Sequence, residues 1–455
     1  MSTQSPPVVS LRAPKDVSVA DIEQELGKIW QDYQPESQTQ DAIVATQATT
    51  FTLMVYEPEP TQHMLAVLGF YNGPIDGIFG PAQVKAIRAA QTAYQLPKTG
   101  KLDRETMSKI EAAYHARITA THDTHAIAIE KDVDNRGYVV TDAIANTNPR
   151  RIVTLCPVIS SEDAGVTAQV SVYCPMKKQS SQSLVGSEYV TLRATPDALE
   201  RNGESIANLA VSDYPQFLWW KDTPTPIKPL FLQLAQKAHA AIFDSAEFVQ
   251  SEAELLQLHE ILDRGIPVID LNWRRIAGWQ ELTAEAFDPP ARRKDITEID
   301  RVDINYEAGN PAQALMFLGW LSSRLQWQPA SYKHTGGDYD LREVDFVAPD
   351  GRKIHTELAA MPTANVGDIP GDLMGVRLNS TNPKANCITV LCSEVAGCMQ
   401  MEMRGGTQTA RVEEVTSLAE RSAEDLLAEY LQRWSRDLLY EQTMTVVAQI
   451  LSKVG

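Results

Sequence analysis

The stretch Ser187 to Trp220, SEYVTLRATPDALERNGESIANLAVSDYPQFLWW, decides how the rest of the chain is read. A β-branched run leads into a polar helix start, an amphipathic helix, a Tyr-Pro turn and then Phe217-Leu218-Trp219-Trp220. Side chains alternate across a strand, so Phe217 and Trp219 share one face and Leu218 and Trp220 the other. A strand that is apolar on both faces belongs inside a sheet covered by helices on both sides. At least one of the tryptophans then fills the core. The sharper expectation is that Trp220 leans into a partner surface, where Trp is enriched.

Working outward, strands are predicted at Thr49 to Tyr56, Arg151 to Val158, Ala168 to Cys174, Glu188 to Ala194, Gln216 to Trp220, Ala241 to Asp244 and Ile266 to Asp270. Helices are predicted at Ile206 to Leu209, Leu230 to Ala240 and Ala253 to Arg264. Such alternation argues for an α/β core with a mostly parallel sheet. No Gly-x-Gly-x-x-Gly, Walker loop or Gly-x-Ser-x-Gly interrupts it. A fold that often carries nucleotides lacks the local devices for holding one, and no cofactor is expected.

The order S-E-x-V-T-L-R, a helix, then D-x-P-x-F-L-W-W resembles the glucose-6-phosphate dehydrogenase assembly protein family, OpcA. Three further stretches fit that family in its order: Ala48 to Tyr56 (ATTFTLMVY), Asn148 to Pro157 (NPRRIVTLCP) and Ile266 to Trp273 (IPVIDLNW). The resemblance implies an accessory protein that binds and activates an enzyme, glucose-6-phosphate dehydrogenase, with no reaction of its own.

Glu57-Pro58-Glu59-Pro60 marks a boundary, because two prolines beside a strand end stop regular pairing. Residues 57–121 then read as a compact helical unit with glycine turns at Gly69, Gly73, Gly77, Gly80 and Gly100, together with Asp76 and Asp103. It resembles the three-helix peptidoglycan-binding-like domain, departing from it at Gln83 (for Thr), Ala90 (for Phe) and Gln95 (for Gly). The matching residues build turns and caps, so they testify to fold; the unit reads as a docking or spacer domain inserted in the core. Such an insert resembles the cyanobacterial branch of the family. A peptidoglycan-binding accessory protein is the rival reading.

Residues 1–16 read as a disordered lead-in, 17–56 and 122–290 as the α/β core, and 291–455 as an α+β domain, an antiparallel sheet with flanking helices. The join is expected at Asp288-Pro289-Pro290 and Arg292-Arg293-Lys294. From Ser422 onward, apolar residues at helical spacing predict one long helix or two in tandem.

Asp plus Glu at 59 against Lys plus Arg at 41 gives a net charge of -18, which argues against nucleic acid or an anionic membrane as the main ligand. The basic spots Arg274-Arg275 and Arg292-Arg293 are candidate partner contacts. No leader-like start and no run of 18 apolar residues is present, so a cytoplasmic protein is expected.

Five cysteines, an odd number in a long chain, do not read as a secreted disulfide framework. By default each reads as a small buried hydrophobe. Cys156 and Cys174, each before a proline, are candidate neighbours in the sheet. Cys392 and Cys398 flank a turn near Ser393 to Gly397, where a disulfide is sterically possible. In a reducing cytoplasm that pair suits a thioredoxin-reversible switch. Met399, Met401 and Met403 alternate as a half-buried strand does, and no His or Cys spacing completes a metal site.

Overall fold

The computed structural model describes residues 8–33, 44–57, 61–72, 81–102, 104–120, 142–157, 165–175, 183–290, 292–362, 369, 371–382, 385–393, 398–405, 414–417, 421–432 and 434–453. The chain divides into two compact units. The first comprises Met1–Phe243, Ile266–Ile269 and Ala423–Trp434; the second comprises Asp244–Gly265, Asp270–Ser422 and Ser435–Gly455.

Strands of the first unit are, in chain order, β1 (Val8–Val17), β2 (Val44–Gln47), β3 (Thr52–Tyr56), β4 (Arg151–Pro157), β5 (Thr167–Pro175), β6 (Ser183–Ala194), β7 (Gln216–Trp220), β8 (Ala240–Phe243) and β9 (Val268–Asp270). Across the sheet they run β1-β5-β6-β4-β3-β7-β8-β9, with β2 paired to β6. The pairs β6–β4, β4–β3, β3–β7 and β7–β8 are parallel, while β5 and β1 extend the edge antiparallel. Residues of β3, β4 and β8 are buried throughout, as two-sided helix cover requires. The mostly parallel α/β sheet expected from the sequence is therefore observed.

Two expectations fail here. The lead-in is ordered from Val8, because β1 takes the open edge of β5 in antiparallel register, Val8 opposite Pro175 and Val17 opposite Ala168. Cys156 and Cys174 are not neighbours, because β6 lies between their strands. Both thiols are buried, and burial pushes the Cys174 thiol up to about 12.

Between β3 and β4, among the described residues, stand a short helix, Asp142–Ala145, and before it the helices Thr61–Val67, Pro81–Ala93 and Arg104–Ala120 of the inserted unit. The helices of the inserted unit share a core of Leu65, Tyr71, Ala86, Ile87, Ala90 and Ile110. Gln91 ties the second turn together: its amide donates to the Thr99 and Thr106 hydroxyls, and its carbonyl accepts from the Gly100 N–H. Gln95 holds φ +58° at the position where the family has glycine. Gly73, Asp76, Gly77, Gly80 and Asp103 lie outside the described residues, as do His122 and His125.

The second sheet runs β11-β12-β13-β10-β14-β15-β16-β17. In chain order its strands are β10 (Arg301–Glu307), β11 (Gln328–Gly336), β12 (Leu341–Val347), β13 (Lys353–Met361), β14 (Leu373–Asn379), β15 (Asn386–Ser393), β16 (Cys398–Gly405) and β17 (Glu414–Ser417). All neighbours are antiparallel except β10 with β13. Buried and more exposed residues alternate along β12 and β13, so one face of the sheet is covered and the other is open. Helices Ala312–Leu325 and Leu438–Leu451 pack on one another in this unit. Gly319 permits that approach, since a Cβ there would lie 2.6 Å from Val447 Cγ2 and 3.1 Å from the Thr443 carbonyl.

The C-terminal helical region is two helices, Ala423–Gln432 in the first unit and Leu438–Leu451 in the second. By compactness the units do not part at residues 288–294. The chain leaves the first unit after Phe243 and again after Ile269, because β8 and β9 feed helices Ser251–Asp263 and Leu271–Arg275, which belong to the second.

Candidate functional site

Strand β3 ends at Tyr56 and β7 at Trp220, and the two residues are register partners. Between these strands the chain order reverses, one half of the sheet continuing through β4 and β6, the other through β8 and β9. In doubly wound sheets, ligands bind outside the carboxyl ends of the strands at such a reversal. Here that position is filled by side chains. The Tyr56 and Trp220 rings are stacked with centroids 3.9 Å apart and planes 9° from parallel, and Phe231 meets Trp220 edge-on at 5.2 Å. The ladder continues one step beyond the strands, where the Lys221 N–H donates to the Tyr56 carbonyl at 3.1 Å.

A lysine closes the stack from outside. Lys228 Nζ lies 4.6 Å from the Tyr56 ring centroid and 5.1 Å from that of Trp220, donates to Tyr56 Oη at 3.2 Å and pairs with Asp222 at 3.5 Å. Burial alone would lower the Lys228 pKa, but Tyr56 and Asp222 outweigh it, so the ammonium is held above its ordinary value. Burial pushes the Tyr56 phenol up. Behind them Lys221 lies 3.9 Å from Glu57, both buried, with its ammonium 4.2 Å from the Trp219 ring centroid.

The family stretches NPRR and SEY meet where the amino end of β4 lies beside the middle of β6, Arg151 opposite Glu188. Glu188, 1% exposed, accepts from Arg150 Nη1 at 2.7 Å, Arg151 Nε at 2.8 Å and Trp30 Nε1 at 2.7 Å. Arg151 also reaches the exposed Glu23. The network matches buried carboxylate to buried guanidinium and ties the first helix, Ile22–Asp32, to the sheet.

The second unit carries its own buried polar network. Arg275 forms a two-point pair with Asp244, at 2.6 and 2.8 Å. Asp270 accepts from the Ser245 and Asn272 N–H groups at 3.0 Å and from Tyr440 Oη at 3.4 Å. Burial pushes the Asp270 carboxyl up to about 6 against the pull of those N–H donors. Asn310 adds amide bonds to the Ser245 and Ala246 carbonyls, and Trp273 donates to Asp437.

Two candidate contacts are corrected. Trp220 is 1% exposed, sealed by Tyr56 and Phe231, and Arg275 is consumed by Asp244. Arg274 and Arg293 are exposed, Arg293 donating to the Asp288 carbonyl, and Arg292 is half-buried. Cys392 stands opposite Met399 and Cys398 opposite Ser393 in the β15–β16 ladder, one step apart at the ends nearest residues 394–397, which lie outside the described residues. Among the described residues, no group of three or more His, Cys, Asp or Glu side chains is placed to hold a metal, and no helix is long and apolar enough to cross a membrane.

Lys228, Asp244 and Asp270 were not singled out by sequence reasoning. For the aspartates a signal exists: each directly follows a short apolar strand, AAIF and PVI. Nothing local marks Lys228, whose role depends on Tyr56 on another strand.

Comparison with known proteins agrees with this arrangement. Residues 141–260 match the family model described as the glucose-6-phosphate dehydrogenase subunit N-terminal domain, residues 266–444 its C-terminal domain, and residues 59–110 a "Putative peptidoglycan binding domain". A "Putative OxPP cycle protein OpcA" of Nostoc punctiforme is 50% identical over 99% of this chain and 96% of its own length. A protein of the same description from Synechocystis is 47% identical over 99% of this chain and 94% of its own. Among solved structures, a UDP-N-acetylglucosamine 3-dehydrogenase from Acidithiobacillus ferrooxidans covers 55% of this chain and 81% of its own at 12% identity and a TM-score of 0.35, too distant to bear on function. On the full-length relatives and the paired domain matches together, the chain belongs to the OpcA family of glucose-6-phosphate dehydrogenase assembly proteins.

Proposed function

We propose that this protein is a cytoplasmic, non-catalytic assembly factor and allosteric activator of glucose-6-phosphate dehydrogenase, serving the oxidative pentose phosphate pathway. The observation that carries the reading is the pair of dehydrogenase-subunit domains, residues 141–260 and 266–444. The physical route is linkage: a protein that binds the enzyme's more active state better raises that state's population. A side-chain plug where a doubly wound sheet would take a ligand suits a scaffold better than a catalyst.

The Cys392 and Cys398 thiols form the redox switch of this reading. Their oxidation to a disulfide gives up two electrons and two protons to an oxidised thioredoxin-type disulfide, and reduced thioredoxin returns them. Dehydrogenase rate against glucose 6-phosphate concentration, with and without the protein, after oxidation and after thioredoxin treatment, tests both parts. Lowered half-saturation that vanishes on reduction supports both. Activation indifferent to redox state, or unchanged in the Cys392→Ser, Cys398→Ser variant, removes the switch and keeps the partner. No effect on a competent cognate enzyme removes the function.

The inserted helical unit is, on this reading, a docking or spacer domain. Its domain match also favours a second reading, peptidoglycan binding. Retention of the protein on purified cell-wall sacculi would favour that alternative.

A further inference from the structure

Two buried carboxylates of the second unit share one guanidinium. Asp244 and Asp270 are 7% and 1% exposed, and Arg275 gives both of its terminal nitrogens to Asp244. Asp270 is left with neutral donors, the Ser245 and Asn272 N–H groups on one oxygen and the Tyr440 hydroxyl on the other. Asp372 and Glu247 add their negative charge around Arg275. An ionised carboxylate buried beside another and holding no cation of its own is costly, and it is relieved by taking a proton or by reaching water. The hydroxyl that touches Asp270 belongs to the last helix, Leu438–Leu451. Asp437 caps that helix on the Tyr440 N–H at 3.0 Å, its other oxygen accepts from Trp273 Nε1 at 3.0 Å, and the Trp273 and Tyr440 rings have centroids 5.7 Å apart. Asp437, Tyr440, Asp270 and Trp273 thus close a ring of contacts between the first turn of the helix and the segment that follows β9.

We propose that this first turn is a proton-controlled latch, closed over Asp270 while the carboxyl is protonated and loosened when it is ionised. The body of the helix packs on helices Ala312–Leu325 and Ser251–Asp263 and on β11. Its first turn is held less firmly: Leu438 is 60% exposed, and Arg436 pairs with Glu441 at the surface. Opening of that turn alone lets water reach Asp270 with the rest of the helix in place. Burial raises the Asp270 carboxyl to about 6, so the closed turn holds the proton more tightly than an opened one, where the carboxyl returns to its ordinary value. Raising the pH therefore favours opening. The chain enters the second unit at residue 435, just before this turn, so the latch also sets how much free chain follows Trp434.

Hydrogen exchange of the full chain, resolved by peptides and corrected for the intrinsic pH dependence of amide exchange, tests the latch. The amides of residues 438–443 are expected to open roughly 10-fold more readily at pH 8 than at pH 5, while those of β12 and β13 stay unchanged. Asp270→Asn is expected to remove the pH dependence at 438–443, and Asp437→Asn, which keeps the cap, to retain it. A rise shared equally by β12 and β13 overturns the latch, because Asp270 then reports on unfolding of the whole unit. Equal protection of 438–443 at pH 5 and pH 8 overturns it as well. So does a pH dependence that survives Asp270→Asn or disappears in Asp437→Asn. If Asp270→Asn does not fold, the wild-type comparison of the two regions decides alone.

Discussion

The Tyr56 ring and the Trp220 indole lie 3.9 Å apart and within 9° of parallel, each the last residue of its strand. Aromatic stacking of this kind contributes about 0.5–1.5 kcal/mol beyond the area it buries. It spans the reversal point of the sheet, where it adds side-chain contact to the backbone ladder between β3 and β7.

Trp220→Ala is expected to destabilise the protein by about 3–5 kcal/mol, because it empties a site bounded by the Tyr56 and Phe231 rings and the Lys228 ammonium. Trp220→Phe should cost less, since part of the volume is refilled. Urea denaturation followed by circular dichroism measures both; equal stability of Trp220→Ala and wild type would contradict the buried placement.

Glu188→Gln should destabilise the first unit by about 3–5 kcal/mol, because Arg151 would keep its charge in a buried site with the exposed Glu23 as its remaining carboxylate and the Leu209 carbonyl as a neutral acceptor. The double variant Glu188→Gln, Arg151→Met should recover part of that loss. A double-mutant cycle of unfolding free energies measures the coupling.

Asp270 gives a pH signature of defined sign. Its folded pKa is raised from 3.8 to about 6 by burial, so the folded state holds the proton more tightly than the unfolded chain. Its contribution to stability is complete below about pH 4 and is lost as pH rises to about 6, a total of about 3 kcal/mol. The difference in unfolding free energy between wild type and Asp270→Asn, measured from pH 4 to 8, should therefore change across that window and be flat above it. A pH-independent difference would mean that Asp270 titrates as an exposed carboxylate.

Gln95→Gly should stabilise the inserted helical unit by about 1 kcal/mol, since Gln95 holds φ +58°, where a side chain is strained and glycine is not. Melting temperature is the readout. Gly371→Ala should act in the opposite direction, because φ is +87° and a Cβ would lie 1.9 Å from the Asn310 carbonyl oxygen.

Local pattern carried the architecture where it carries physical meaning. Four consecutive apolar residues in β7 required cover on both faces, and Phe217 to Trp220 are all buried. The antiparallel sheet expected within residues 291–455 is observed apart from one parallel pair, β10 with β13, and burial alternates along β12 and β13. What the sequence withheld depended on partners distant in the chain. The β1 strand looks polar and disordered until the edge of β5 is offered to it. What covers Trp220 is unreadable until Tyr56 arrives from β3, and Arg275 looks like an unpaired basic spot until Asp244 does. Cys156 and Cys174 share a motif but not a neighbourhood, because β6 enters between them.

The chain passes between its two units at residues 243/244, 265/266, 269/270, 422/423 and 434/435. Each unit is thus assembled from separate segments of the chain, and neither can be cut out as one continuous fragment. A truncation ending near residue 265 would deprive the first sheet of β9 and of helix Ala423–Gln432, and Phe217 of its edge contact with Trp434. Loss of the last few dozen residues, by proteolysis or a premature stop, would reach a sheet formed hundreds of residues earlier in synthesis. The first unit can complete itself only when residues 423–434 have left the ribosome.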